Sequence, residues 1–168
     1  MADTPNVPHD TPRDGAIAPN VPERYRHLVE EVLRRLPPGW AGDETLSVVS
    51  SDDPAPLGFA CVVYERAARA WGEVVTLYPA LLDRLSEAAC RWVIAHEFGH
   101  VAARLPQLGR LAGRACLYVG GRWRISRADP KRLKDLYEEA ANHLAVTWGF
   151  EKDWDTFEGE RSTLFGSE

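Results

Sequence analysis

Long hydrophobic runs are missing from this chain. No apolar stretch approaches the ~20 residues that a membrane-spanning helix needs, and the opening MADTPNVPHD is rich in Pro and Asp where a secretory leader would be apolar. The expectation is a cytoplasmic protein with no membrane contact. Cysteine is scarce as well: Cys61, Cys90 and Cys116 are odd in number and fall in no paired spacing, which argues against a disulfide framework and for buried thiols. Lysine appears three times against seventeen arginines, a bias that looks like genome composition more than function. No internal repeat is visible. What is present, 168 residues of which 45% are hydrophobic and 27% charged, suits one domain with a sizeable core.

Residues 1 to 19 hold four prolines and few apolar side chains, the composition of a disordered arm. Asn20, Pro22 and Glu23 then resemble a capped helix start. Tyr25, Leu28, Val29, Val32, Leu33 and Leu36 recur at helical spacing until Pro37-Pro38-Gly39 stops them. From Trp40 to Pro79 the pattern shifts to β-prone runs, Glu44 to Ser50, Phe59 to Glu65 and Glu73 to Tyr78, separated by turn residues. A small, mainly antiparallel three-stranded sheet is predicted. Further on, Ala115 to Val119 and Arg122 to Ile125 flank Gly120-Gly121 as a hairpin would, and Asp129-Pro130 opens a helix that runs to Trp148 and stops at Gly149.

The chemistry concentrates in His96-Glu97-Phe98-Gly99-His100, inside the apolar run from Ser86 to Leu105, with Ser86 placed to cap the helix. At ~100° per residue, His96 and His100 lie about 40° apart on one helix face, one turn from each other, so both imidazoles can reach one ion. Glu97 points ~100° away from His96, where a carboxylate meets a water on the metal and not the metal itself. Two histidines one turn apart need bind nothing. Here, however, Trp92, Val93, Ile94 and Ala95 precede the motif and Val101, Ala102 and Ala103 follow it, making a buried helix. Two imidazoles and a carboxylate are costly to bury without partners, and a divalent cation such as Zn2+ satisfies all three.

A catalytic zinc takes three protein ligands and leaves a fourth position for water. The helix from Pro130 offers Glu138 and Glu139. Counted from Leu133 at ~100° per residue, the apolar face centres near ~20°, Glu138 falls near ~140° and Glu139 near ~240°. Glu138 is the closer, and Ala141 and Ala145 beside it are small enough to let the helix approach. Asn142, one turn on, is placed to hold a ligand imidazole in one tautomer. Cys90 as third ligand fails on geometry, since six residues put it ~9 Å along the helix from His96.

His96-Glu97-Phe98-Gly99-His100 followed by Glu138-Glu139-Ala140-Ala141-Asn142, an E-x-x-A-N pattern, resembles the gluzincin class of zinc metallopeptidases, and the short chain is similar to the small ImmA/IrrE-type peptidases and minimal gluzincins. The match covers roughly residues 73 to 104 and 130 to 149. It implies an α+β, zincin-like single domain over residues 20–149, its sheet packed on the HExxH helix and a following ligand-bearing helix. It also implies zinc on His96, His100 and Glu138, Glu97 as base and acid, Asn142 supporting a histidine, and a protein or peptide substrate. Tyr118 and His143 are the candidates for a transition-state stabiliser. Each has an ordinary alternative, a packed hairpin tyrosine and an exposed histidine. The other functional class left open is a metal-binding regulatory or nucleic-acid-associated module with little or no turnover.

Charge is segregated along the chain. From Arg104 to Lys134 nine basic residues stand against Asp129 alone, and from Asp135 to the end nine acids oppose Lys152 and Arg161. Mutual neutralisation within the fold is the plain account. The sharper one is a weak nucleic-acid contact through Arg104–Lys134, with Trp123 and Tyr118 available for stacking. Residues 150–168, carrying Trp154, Phe157 and Leu164, are expected to lie as an extended tail across or beside the cleft, next to the strand Phe59 to Glu65.

Overall fold

The computed structural model describes residues 17–37, 46–52, 59–67, 70–103, 115–119, 122–126 and 130–165. Helix α1 (Glu23–Arg35) buries Tyr25, Leu28, Val29, Val32 and Leu33, the stripe expected from their spacing. Its cap is Pro22 and not Asn20. Asn20 sits too far ahead of the helix to serve its free N–H groups, and its side-chain amide instead donates to the Ser50 carbonyl at 2.7 Å. That bond ties the start of α1 to a strand end.

Strands β1 (Leu46–Ser50), β2 (Ala60–Ala67) and β3 (Ala70–Leu77) form one sheet in the order β1-β3-β2. β2 and β3 make an antiparallel hairpin whose register runs from Ala60↔Leu77 to Ala67↔Ala70. β1 pairs with β3 in parallel, so the sheet is mixed where mainly antiparallel pairing was expected. The register explains the choice: it sets Val48 beside Val75, and both are fully buried. Ile17 adds a parallel bridge to Val48 on the outer side of β1, and the Ala18 N–H donates to the Val48 carbonyl at 2.8 Å. Residues 17–19, expected within a disordered arm, therefore belong to the fold, whereas residues 1–16 of that expectation lie outside the described residues.

A short turn of helix, α2 (Pro79–Leu82), leads to α3 (Glu87–Ala102). The Ser86 hydroxyl accepts the Ala89 N–H at 3.3 Å as the expected cap. Trp92, Val93, Ile94 and Ala95 are buried in succession, so α3 is enclosed on all sides, with α1, α4, α5 and the strands β2 and β3 against it. β4 (Ala115–Val119) and β5 (Arg122–Ser126) form the antiparallel hairpin anticipated around Gly120-Gly121, with Tyr118 opposite Trp123. Helix α4 (Pro130–Thr147) ends in a Schellman arrangement: the Phe150 N–H bonds the Ala145 carbonyl at 3.2 Å, the Gly149 N–H bonds the Val146 carbonyl at 2.9 Å, and Gly149 takes φ 91°.

The tail is a helix. α5 (Glu151–Phe165) packs against α3, which rules out an extended tail paired with β2. Phe157 does meet Phe59, just ahead of β2, with ring centroids 5.7 Å apart, but from a helix. The result is a helix-dominated α+β fold. Among the described residues no helix is long and apolar enough to cross a membrane.

Candidate metal centre

Helices α3 and α4 bring the three expected ligands together. The imidazoles of His96 and His100 meet edge to face, centroids 4.6 Å apart, with their Nε2 atoms separated by 3.0 Å. From α4, Glu138 Oε2 lies 3.2 Å from His96 Nε2 and 3.7 Å from His100 Nε2. A ligand atom from each residue falls within 4.8 Å of the others. Glu139, the rival carboxylate, is exposed. Asn142, one turn after Glu138, presents Oδ1 at 2.8 Å from His96 Nδ1.

This proximity depends on how closely the helices approach. A Cβ on Gly99 would sit 2.6 Å from the Ala141 carbonyl oxygen and 2.8 Å from its Cα, so the α3 backbone rests directly on that of α4. Ala141 and Ala145 are fully buried. Sequence reasoning picked out the two alanines and missed Gly99, although a glycine inside a buried helix is itself a sign of close backbone approach.

The His96 and His100 side chains are 16% and 19% exposed and that of Glu138 47%, so the group is walled by protein and opens toward solvent at the glutamate. Burial works to lower the pKa of His96, but the hydrogen bond to Glu138 and the charges of Glu97 and Glu138 outweigh it and raise the imidazole above its ordinary value. The bonds to His100 and His96 hold the Glu138 carboxyl far below the usual carboxylate range. With Asn142 Oδ1 accepting from Nδ1–H, a neutral His96 turns its Nε2 lone pair toward the Glu138 oxygen and the second imidazole. A cation among the three groups, or a proton held on an imidazole, offsets the repulsion between that lone pair and the carboxylate.

Comparison with protein-family models, curated proteins and solved structures finds no match. The residues themselves carry the reading.

Glu97 is buried at 8% exposure, close enough to His96 for its charge to raise that pKa. His143 lies exposed on α4 and is not among the three clustered groups. Tyr118 lies on β4, a strand that packs against α4; its side chain, and those of Trp123 and the basic residues from Arg104 to Lys134, fall outside what is described. Cys90 is buried, its thiol donating to the Leu82 carbonyl at 3.3 Å, and burial pushes its pKa up to about 11. It is a core thiol, unsuited to bind or attack at neutral pH.

Two links behind α3 were not expected from the sequence, although Trp154 stands out there as a packing residue of the tail. Arg91 forks onto Asp153 of α5, Nε to Oδ2 at 3.2 Å and Nη2 to Oδ1 at 3.1 Å, and that hydrogen-bonded carboxylate raises the guanidinium's pKa further. Trp92 stacks obliquely on Trp154 at 4.7 Å and lies 6.3 Å from the His96 ring.

Proposed function

We propose that this chain is a zinc-dependent metallopeptidase of the gluzincin type, zincin-like in fold and acting in the cytoplasm. One observation carries the proposal: two imidazole nitrogens and a carboxylate oxygen converge within 4.8 Å, with one imidazole fixed by Asn142. Two nitrogens and one oxygen are a donor set that zinc accepts, and three protein ligands leave a position for water. Asn142 fixes which His96 nitrogen faces the metal, as hydrogen-bond partners of ligand histidines do. When bound, zinc supplies Lewis acidity that makes a water nucleophilic near neutral pH.

The remaining work falls to the chain's own groups. Glu97 takes the proton from the attacking water and passes it to the leaving amine as the peptide bond breaks. Its burial at 8% exposure keeps bulk water away from that proton transfer. The peptide or protein substrate is proposed to lie beside β2, which among the described residues pairs with β3 alone, because an extended segment adds readily to such an edge.

The test is metal content. Elemental analysis of purified protein is expected to give about one zinc per chain, and His100→Ala is expected to lose it. Full zinc retention by the His100→Ala protein would overturn the assignment.

A further inference from the structure

An amphipathic helix is held in one rotation by its single apolar face. α3 has no such face, being buried at four successive positions from Trp92 to Ala95. Apolar burial alone therefore does not single out one rotation of α3, and directional polar contacts add to the Gly99–Ala141 packing in fixing where His96 and His100 point. Apart from His96, Glu97 and His100, the helix carries two charged side chains, Glu87 in its first turn and Arg91. At ~100° per residue, Arg91 stands ~180° from His100 and ~140° from His96. It holds α3 from behind the ligands. Its guanidinium makes the two-pronged contact with Asp153 of α5 and lies 3.8 Å from Glu31 of α1. Both partners sit on helices that contribute nothing to the His96–His100–Glu138 group.

The pair has the properties of a rotational lock. The Arg91 and Asp153 side chains are 21% and 12% exposed, so solvent screens them weakly, and a fork fixes orientation where one hydrogen bond would pivot. α5 is fixed at two more points along α3, by the Trp92–Trp154 stack and by Glu160 Oε2 accepting the Ser86 N–H at 2.8 Å. It is a stationary partner, and a rotation of α3 that moved the two imidazoles off Glu138 would strain the fork along with the Gly99–Ala141 contact.

We propose that Arg91, held by Asp153 of α5, is a positioning residue that sets the rotation of α3 and so aims His96 and His100 at the metal, an inference that rests on the zinc reading of the site. The experiment compares wild type, Arg91→Ala, Arg91→Lys, Asp153→Ala and the Arg91→Ala/Asp153→Ala double variant in the full chain. Zinc affinity is measured by competition with a chromophoric chelator, the visible spectrum is recorded with cobalt in place of zinc, and denaturant unfolding is followed without metal. Arg91→Ala is expected to bind zinc about tenfold more weakly, at the low end for partners behind the ligands, and to show an altered cobalt spectrum. Arg91→Lys, which keeps the charge and loses the fork, is expected to fall between, and it decides the matter if the alanine variant does not fold. The double variant is expected to bind no worse than Arg91→Ala, because the two residues act as one unit. A drop in metal-free stability with unchanged zinc affinity and an unchanged cobalt spectrum would overturn the proposal and leave Arg91 an ordinary ion pair. If wild type itself bound no zinc, the functional reading would fall first and the inference with it.

Discussion

The two ends of α3 handle polar groups in opposite ways. Around its N-terminal end each donor meets an acceptor: the Tyr25 hydroxyl donates to the Asp83 carboxylate, Arg24 reaches Asp83 at 3.3 Å and the Leu85 carbonyl at 3.2 Å, the Cys90 thiol bonds Leu82, and Ser86 and Glu160 close the helix start. In the C-terminal half, two imidazole nitrogens and a carboxylate oxygen, from His96, His100 and Glu138, crowd around one point. Both regions are polar, and both hold perturbed pKa values, with burial and the Asp83 bond pushing Tyr25 upward. Shifted pKa values therefore do not distinguish them. What separates a structural cluster from a candidate catalytic one here is whether donors pair off with acceptors or several metal-ligating atoms converge on one point.

The largest expected effect breaks the comparison at the C-terminal half. Glu97→Gln keeps the shape of the side chain but cannot accept the proton, so hydrolysis of an unfolded protein substrate is expected to fall about 10²- to 10⁴-fold with zinc content unchanged. Activity undiminished in that variant would remove Glu97 from the role of base. Next comes Gly99→Ala. The added methyl meets Ala141 backbone atoms that have no rotamer to yield, so unfolding stability is expected to drop by about 1–3 kcal/mol, as overpacking does. Zinc binding should weaken with it, because Glu138 is carried on the displaced α4. Titration of zinc into the variant checks this, and wild-type affinity would show that the helix spacing does not govern the site. The smallest effect sharpens the contrast from the other end. Ser86→Ala removes the α3 cap and is expected to cost about 1 kcal/mol in denaturant unfolding, with zinc affinity unaltered. A parallel loss of zinc affinity would mean that the two ends are not independent.

Local pattern made much of this legible. The apolar spacing of Tyr25 to Leu33 gave α1, Gly120-Gly121 gave the β4–β5 hairpin, and one-turn spacing gave the His96–His100 pair. The failures share a cause. Asn20 has the chemistry of a cap, but its position relative to β1 offered a better partner in Ser50. The tail does not read as helical, with Gly159 in its middle and Ser162-Thr163 near its end, residues of modest or poor helix propensity. Contacts from α3, through Arg91–Asp153 and Trp92–Trp154, stabilise a helix that the segment alone would not form.

The sequence by itself determined what one turn of helix determines: that His96 and His100 share a face, that Glu97 does not, and that Glu138 and Asn142 lie one turn apart on a later helix. These are consequences of covalent geometry at fixed spacing, independent of the rest of the chain. Only the tertiary structure decided that the two faces meet, that Gly99 on Ala141 sets how closely they do, that β1 joins β3 in parallel, and that the tail becomes a helix behind the site. Each of these depends on groups distant in sequence competing for the same partners, and that competition is resolved only when the core is packed.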